Sequence, residues 1–276
     1  MSQTRSPLAS LRQSLRDAID ESEIEALASR LESDARIGAQ QIRAQALRRV
    51  ESGRAERLRI GRLLELRDQL AVRGVRGIAG VDEVGVGPLA GPVVAAAVVL
   101  PERIELIGLD DSKRVRPKLR EKLATEIREV AVGVGIGEVR VEEIDQIGIY
   151  HASLEAMRRA VKSLERNVKV EHVLVDARTI PGVLQPQTSI IKGDQKDASI
   201  AAASIVAKVY RDQLMQKLSD RYPAYGFEQH MGYGTAAHMA ALDRVGPCPA
   251  HRRSFAPVER AERRMAAGSP RPSSAP

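Results

Sequence analysis

Four short apolar runs decide what kind of fold is open to this chain. GIAGV at 77–81, VVAAAVV at 93–99, HVLV at 172–175 and TSII at 188–191 are all of strand length, punctuated by Gly, Pro or charged residues. Helical patterns lie among them: Pro117 to about Val130, Val141 to Ile147, Tyr150 to Arg166, and about Ala198 to Ser219. The first half of the last, SIAAASIVAKV, is apolar on nearly every side and belongs inside the protein. Strands interleaved with helices predict an α/β fold. A further strand, AVGVGIGEV, sets Gly133, Gly135 and Gly137 on one face, which requires something to pack closely there.

Residues 1–74 have another texture. The stretch holds no Lys and no aromatic residue, is rich in Arg, Ala, Leu, Glu and Gln, and repeats Leu63, Leu66 and Leu70 at helical spacing. We expect a small helical module with Ser6 and Ser22 as caps. Arg43, Arg48, Arg49, Arg54, Arg57, Arg59 and Arg62 face only Glu51 and Glu56 along this stretch, a stripe that either tracks a phosphate backbone or is simply solvated. The chain divides into this module at 1–74, a main domain at 75–260, and an Arg-, Pro- and Ser-rich tail at 261–276 expected to be disordered. The net charge of +7 favours polyanionic partners without deciding the fold. Cys248 is the only cysteine, so an intrachain disulfide is excluded and a reducing, cytoplasmic location is expected. The longest apolar run, Pro92 to Leu100, falls far short of the roughly 20 residues that cross a membrane, and the N-terminus lacks a signal-peptide core.

GVDEVGVGPLAGP, residues 80–92, concentrates the chemistry. Gly85-x-Gly87-x-x-Ala90 satisfies a dinucleotide-binding fingerprint, but that fingerprint opens a helix, whereas Pro88 and Pro92 intervene here and a strand follows. The adjacent acids are more informative. In a regular strand Asp82 and Glu83 point to opposite faces, so both serve one site only if the strand ends or twists there, with Gly85 and Gly87 giving that freedom. Asp176 follows HVLV and Asp194 follows SIIKG, each read as ending a strand. Carboxylates gathered at strand ends repel one another without cations, and hard oxygen donors favour Mg²⁺ or Mn²⁺. Two such ions activate water and stabilise a leaving oxygen in phosphodiester hydrolysis. Any one of these acids alone could equally cap a helix or pair with Arg. His238, Cys248 and His251 lack a standard zinc spacing.

AGVDEVGVGPLAGPVVAAAVVLP, DDSK, VLVDA, IIKGDQKDASIAAASIVAKVYRD, YPAYGF, HMGYGT and GPCPAHRRSFAPV, in this order over about 76–259, resemble bacterial ribonuclease HII. The segment from about Leu31 to Gly74 more weakly resembles the N-terminal extension of that family's longer members. The resemblance implies a ribonuclease H-like mixed sheet flanked by helices, with Mn²⁺ or Mg²⁺ as cofactor; a monomer is the default expectation, and the short apolar runs predict no membrane partner. Its implied substrates are RNA/DNA hybrids and duplex DNA carrying ribonucleotides, in replication or repair. It implies Asp82, Glu83, Asp176 and Asp194 as metal-binding catalytic acids. It also implies cleavage 5′ to an embedded ribonucleotide, leaving 3′-hydroxyl and 5′-phosphate ends.

For ribose reading the resemblance implies Gly85, Val86 and Gly87, with Tyr233 packing on the sugar, or else a core tyrosine. Ser112, Lys113 and Lys192 could approach phosphates, as could Arg252 and Arg253, or merely be solvated. Val86 departs from the family, which has an arginine there. Retained chemistry with weaker or altered substrate preference is therefore expected. The alternative is a catalytically weakened hybrid-binding protein, against which the four acids argue. A junction resolvase of the same fold is a third reading, opposed by the GYGT segment and the glycine loop.

Overall fold

The computed structural model describes residues 6–104 and 106–267, and it falls into two compact units, Met1–Arg62 and Leu63–Pro276. In the first, α1 (Leu8–Asp17), α2 (Glu21–Arg30) and the beginning of α3 (Ile37–Val72) share a core that includes Leu11, Leu15, Ile24, Leu27, Ile42 and Val50. Neither expected serine caps a helix. Asp20 caps α2, its Oδ1 accepting from the Glu23 amide at 2.8 Å, because it has the extended backbone an N-cap needs while Ser22 already lies inside the first turn. α1 follows Pro7 with no side-chain cap.

The basic stripe is largely consumed within this unit. Arg43 pairs with Glu32, Arg54 with Glu21 and Glu25, Arg57 with Glu21, and Arg59 with Glu56. Arg49 donates to the carbonyls of Leu15 and Ala18. Apart from Glu56, these partners come from residues 15–32, far away in sequence, which is why the stripe looks unopposed along α3 alone.

α3 continues to Val72, but its last turns pack with the second unit. Leu66 and Leu70 lie against Ile78, Leu174 and Ile200. The expected division after residue 74 thus follows the end of the helix, whereas the division by packing comes at Arg62.

The second unit is built on a mixed sheet of β1 (Ile78–Val84), β2 (Val93–Val99), β3 (Gly133–Val139), β4 (His172–Asp176) and β5 (Gln187–Ile190), in the order β3-β2-β1-β4-β5. β2 is antiparallel to both β1 and β3, and β1, β4 and β5 are mutually parallel, so their C-terminal ends share one edge. Helices α4 (Pro117–Val130), α5 (Val141–Ile147), α6 (Ile149–Leu164) and α7 (Ala198–Arg221) surround it. α6 covers one face through Ala152, Ala156, Met157, Ala160 and Leu164, packed with Val81, Ala95, Val173 and Val175. The glycine face of β3 is what admits it: a Cβ on Gly135 would stand 2.2 Å from the Ala160 carbonyl oxygen, and one on Gly137 2.0 Å from that of Ala156.

α7 lies on the other face. Its first turns are buried nearly all round, and a Cβ on Gly80 would stand 2.1 Å from the Ser199 carbonyl carbon. Each Ile or Val buried there contributes roughly 1.5–3 kcal/mol. Asp197 caps α7 through the amides of Ser199 and Ile200.

Beyond α7, α8 (Phe227–His230), α9 (Ala236–Val245) and α10 (Ala256–Ala266) form a second core with Leu89, Met215, Tyr225, Phe227, Leu242 and Val258. Two expectations are corrected. Residues 261–266 of the predicted tail are helical, because Val258 and Ala261 are buried and Pro257 suits a first turn; residues 268–276 lie outside the described residues. β5 stops at Ile190, so Asp194 does not end a strand; it sits in a 3₁₀ turn at Gly193–Gln195, entered through the left-handed Lys192 (φ 58°). No described helix is long and apolar enough to cross a membrane.

Candidate active site

The alternation of β1 explains how its two acids are presented. Gly80 faces α7 and Val81 faces α6, so Asp82 points to the α7 side and Glu83 to the α6 side. Of the two expected possibilities, a strand end or a twist, the pairing excludes the end: Glu83 and Val84 remain paired with Ala95 and Val94 of β2. What stops is the pairing with β4, whose last β1 contact is Val81 to Val175. Both acids therefore stand just beyond the point where β1 and β4 part, with Asp176 next to them at the end of β4.

Asp176 shares the α7 face, since Leu174 packs there with Ile200. Its Oδ1 accepts the Gly193 amide at 2.7 Å, which ties β4 to the turn carrying Asp194. Ser204 of α7 stands beside Asp82, where it lowers the carboxyl against the other influences, and its hydroxyl donates to that of Ser112 at 2.9 Å. On the opposite face the Arg178 Nε lies 3.7 Å from Glu83 Oε1, while the same guanidinium donates to Ser153 and lies over the Tyr150 ring.

The electrostatics follow from this crowding. Burial first, then Glu83, Asp176 and Asp194, push the Asp82 carboxyl well above its ordinary range. Burial also raises Glu83, against the lowering by Arg178. Burial, Asp111 and Asp176 lift Asp194 to about 6. Glu83 Oε2 is buried and has no hydrogen-bond partner among the described residues. Mutually repelling carboxylates with an unsatisfied buried oxygen form a donor set suited to hard divalent cations. Among the described residues no three His, Cys, Asp or Glu side chains converge closely enough to hold an ion by themselves. An ion here would therefore complete its shell with water or phosphate oxygens, as Mg²⁺ commonly does.

The expected substrate contacts divide. Lys113 is exposed and close enough to lower both Glu83 and Asp194, while Ser112 is buried against Ser204. Lys192 is exposed, two residues before Asp194. Tyr233 is 43% exposed and so is not a core tyrosine; a Cβ on Gly87 would lie 3.5 Å from its ring. Arg252 is not solvated: it is fully buried and donates to backbone carbonyls, while Arg253 pairs with Glu262. Sequence reasoning missed Asp111, Ser204 and Arg178. Asp111 sat unread in the DDSK motif and Arg178 directly after VLVDA; Ser204 carried no signal, being one small residue in an apolar helix.

The stretch after β1 leads into β2 rather than into a helix, as the rejection of nucleotide cradling requires. His238, Cys248 and His251 form a buried hydrogen-bonded chain.

The family model described as Ribonuclease HII matches residues 79–258. A Ribonuclease HII of Geobacillus thermodenitrificans is 51% identical over 231 residues, covering 84% of this chain and 88% of the relative. Among solved structures, the ribonuclease H2 from Pyrococcus horikoshii superposes with a TM-score of 0.61 at 29% identity, over 68% of this chain and 98% of that one. Bst ribonuclease HIII, solved in complex with Mn²⁺, shares the fold at 18% identity and a TM-score of 0.53, over 72% of this chain and 73% of that one.

Proposed function

Since this chain belongs to the ribonuclease HII family and is a type 2 ribonuclease H, we propose that it hydrolyses the RNA strand of RNA/DNA hybrids and incises duplex DNA 5′ to single embedded ribonucleotides, leaving 3′-hydroxyl and 5′-phosphate ends. The observation that carries this reading is the set of acids at the shared C-terminal edge of β1 and β4, with the Gly85–Gly87 turn following directly from β1 and Tyr233 exposed over it. Two of the acids and the turn read as ribose-recognising thereby lie on one continuous segment, with Asp176, Asp194 and Tyr233 joining from elsewhere in the chain.

Asp82, Glu83, Asp176 and Asp194 would hold the divalent cations, which when bound supply activation of the attacking water and charge stabilisation at the leaving oxygen. Mn²⁺, present in the Bst ribonuclease HIII structure, and Mg²⁺ both suit these oxygens. The chain's own groups do the rest. Ser204 and Arg178 hold the two β1 acids on their respective faces. Lys113 offers a cation to a phosphate of the scissile strand. Backbone amides of the glycine turn meet the ribose 2′-hydroxyl, which accepts as well as donates, and the Tyr233 ring packs on the sugar.

Cleavage of a duplex with one embedded ribonucleotide, beside an all-DNA control and a long hybrid, tests the reading. Divalent-dependent cutting 5′ to the ribonucleotide is expected. Binding without cutting of either ribonucleotide-containing substrate would instead make the chain a hybrid-binding protein.

A further inference from the structure

Two buried arginines stand behind the glycine turn, and neither makes an ion pair among the described residues. Arg252 donates through Nη2 to the Gly85 carbonyl at 2.6 Å, through Nη1 to the Val86 carbonyl at 3.0 Å, and through Nε and Nη2 to the Gly91 carbonyl at 3.0 and 2.8 Å. Arg211 donates to the carbonyls of Pro92, Ala90 and Met231. Burying guanidinium without a carboxylate is costly. Burial pulls Arg252 down to about 9 and Arg211 to about 10, so both remain charged at neutral pH.

The carbonyls they hold determine where the amides point. In a trans peptide unit the carbonyl of one residue and the N–H of the next are coplanar and face opposite ways. No cis peptide bond occurs among the described residues. With the Gly85 and Val86 carbonyls drawn inward by Arg252, the N–H groups of Val86 and Gly87 face outward, on the side away from the guanidinium. Neither amide has an acceptor among the described residues. Gly85 must be glycine for this packing: its φ is +89°, and a Cβ would meet Arg211 Nε at 2.2 Å.

Arg252 is itself held from below. Its amide donates to the Leu89 carbonyl, Gly91 donates to the Ala250 carbonyl, and the next two amides, of Arg253 and Ser254, donate to Asp145 at the end of α5.

We infer that Arg252 is a positioning residue for ribose recognition, which fixes the Gly85–Gly87 backbone so that the Val86 and Gly87 amides form a paired donor site for the 2′-hydroxyl. The inference rests on the reading of this turn as the ribose-recognising element. It also accounts for valine at position 86, since a turn oriented from behind does not depend on the side chain it displays.

The test is equilibrium binding without divalent ions of a duplex carrying one ribonucleotide and of the same duplex in DNA, for the wild type and Arg252→Lys. Lysine keeps the charge but cannot span three carbonyls. The wild type is expected to prefer the ribonucleotide duplex, and R252K to lose at least tenfold of that preference while its affinity for DNA stays within about twofold. A merely structural arginine would shift both affinities together or neither. A folded R252K with the wild-type preference overturns the inference. If the wild type itself shows no preference, the ribose-reading assignment of the turn falls first and the inference with it. Should R252K fail to fold, Val86→Pro removes one outward amide with Arg252 in place; loss of preference supports the inference and retained preference overturns it.

Discussion

The Nε2 atoms of His238 and His251 stand 3.0 Å apart with both rings buried, and their other nitrogens settle which one donates. His238 Nδ1 lies 2.8 Å from the Tyr233 carbonyl oxygen and must carry a proton to donate to it, leaving Nε2 as an acceptor. His251 therefore donates from Nε2, and its Nδ1 accepts from the Cys248 amide at 3.0 Å. A proton added to either ring breaks the chain that links the Tyr233 segment to the Cys248–Arg252 segment. Burial, then His238, hold His251 down at about 4, and burial lowers His238.

The unfolded chain takes up a proton near 6.5 and the folded chain does not until about 4, so this contribution is intact above 6.5 and is lost as pH falls toward 4. It amounts to about 3 kcal/mol for His251. Chemical denaturation at pH 7.5 and pH 5 should show a larger acid loss in the wild type than in His251→Asn. Equal losses in the two would contradict the assignment.

Asp82→Asn should separate stability from activity. The Asp82 charge opposes folding at neutral pH because burial and three neighbouring acids raise its carboxyl. Removing it is expected to stabilise the ion-free protein by roughly 1–2 kcal/mol while lowering kcat by about 10²–10³. Thermal melts with and without Mn²⁺, beside cleavage rates, check this: the wild type should gain stability from the ion and the variant much less.

Gly137→Ala places a methyl 2.0 Å from the Ala156 carbonyl oxygen, backbone that cannot swing aside. A loss of about 3 kcal/mol or more is expected from urea melts. Gly61→Ala, inside α3 with nothing of the described residues within 4 Å, is the control and should stabilise by about 0.5–1 kcal/mol through helix propensity alone.

The two chain boundaries make opposite predictions. Removing residues 1–62 should leave the second unit folded and the salt dependence of substrate binding nearly unchanged, because most arginines of the α3 stripe already have partners. Removing residues 1–74 also strips Leu66 and Leu70 from Ile78, Leu174 and Ile200 and should cost about 2–5 kcal/mol. A steeply reduced salt slope in the shorter truncation would restore the stripe as a nucleic-acid contact.

Val86→Arg should raise affinity for the duplex about three- to tenfold and steepen the salt slope by about one, if the new side chain reaches a phosphate. Unchanged affinity would mean that the position contributes nothing through its side chain.

The strands and the main helices were legible in the sequence alone, which also singled out the acids as candidates, because each reading rests on local physics. Runs such as VVAAAVV can only be buried, the alternating glycines of β3 demand a close neighbour, and Asp82, Glu83 and Asp176 follow apolar runs directly. Asp194 was singled out on a placement the structure corrects, since β5 ends before it and a 3₁₀ turn carries it. Tertiary structure decided the rest, through contacts between residues far apart in the chain. Nothing local distinguishes Arg252 from the neighbouring Arg253, yet one is buried beneath Gly85 and the other pairs on the surface with Glu262. Nothing local shows that Glu21 and Glu25 neutralise Arg54, or that Ser204 meets Asp82. A charged side chain is priced by its surroundings, and those surroundings exist only once distant segments have packed.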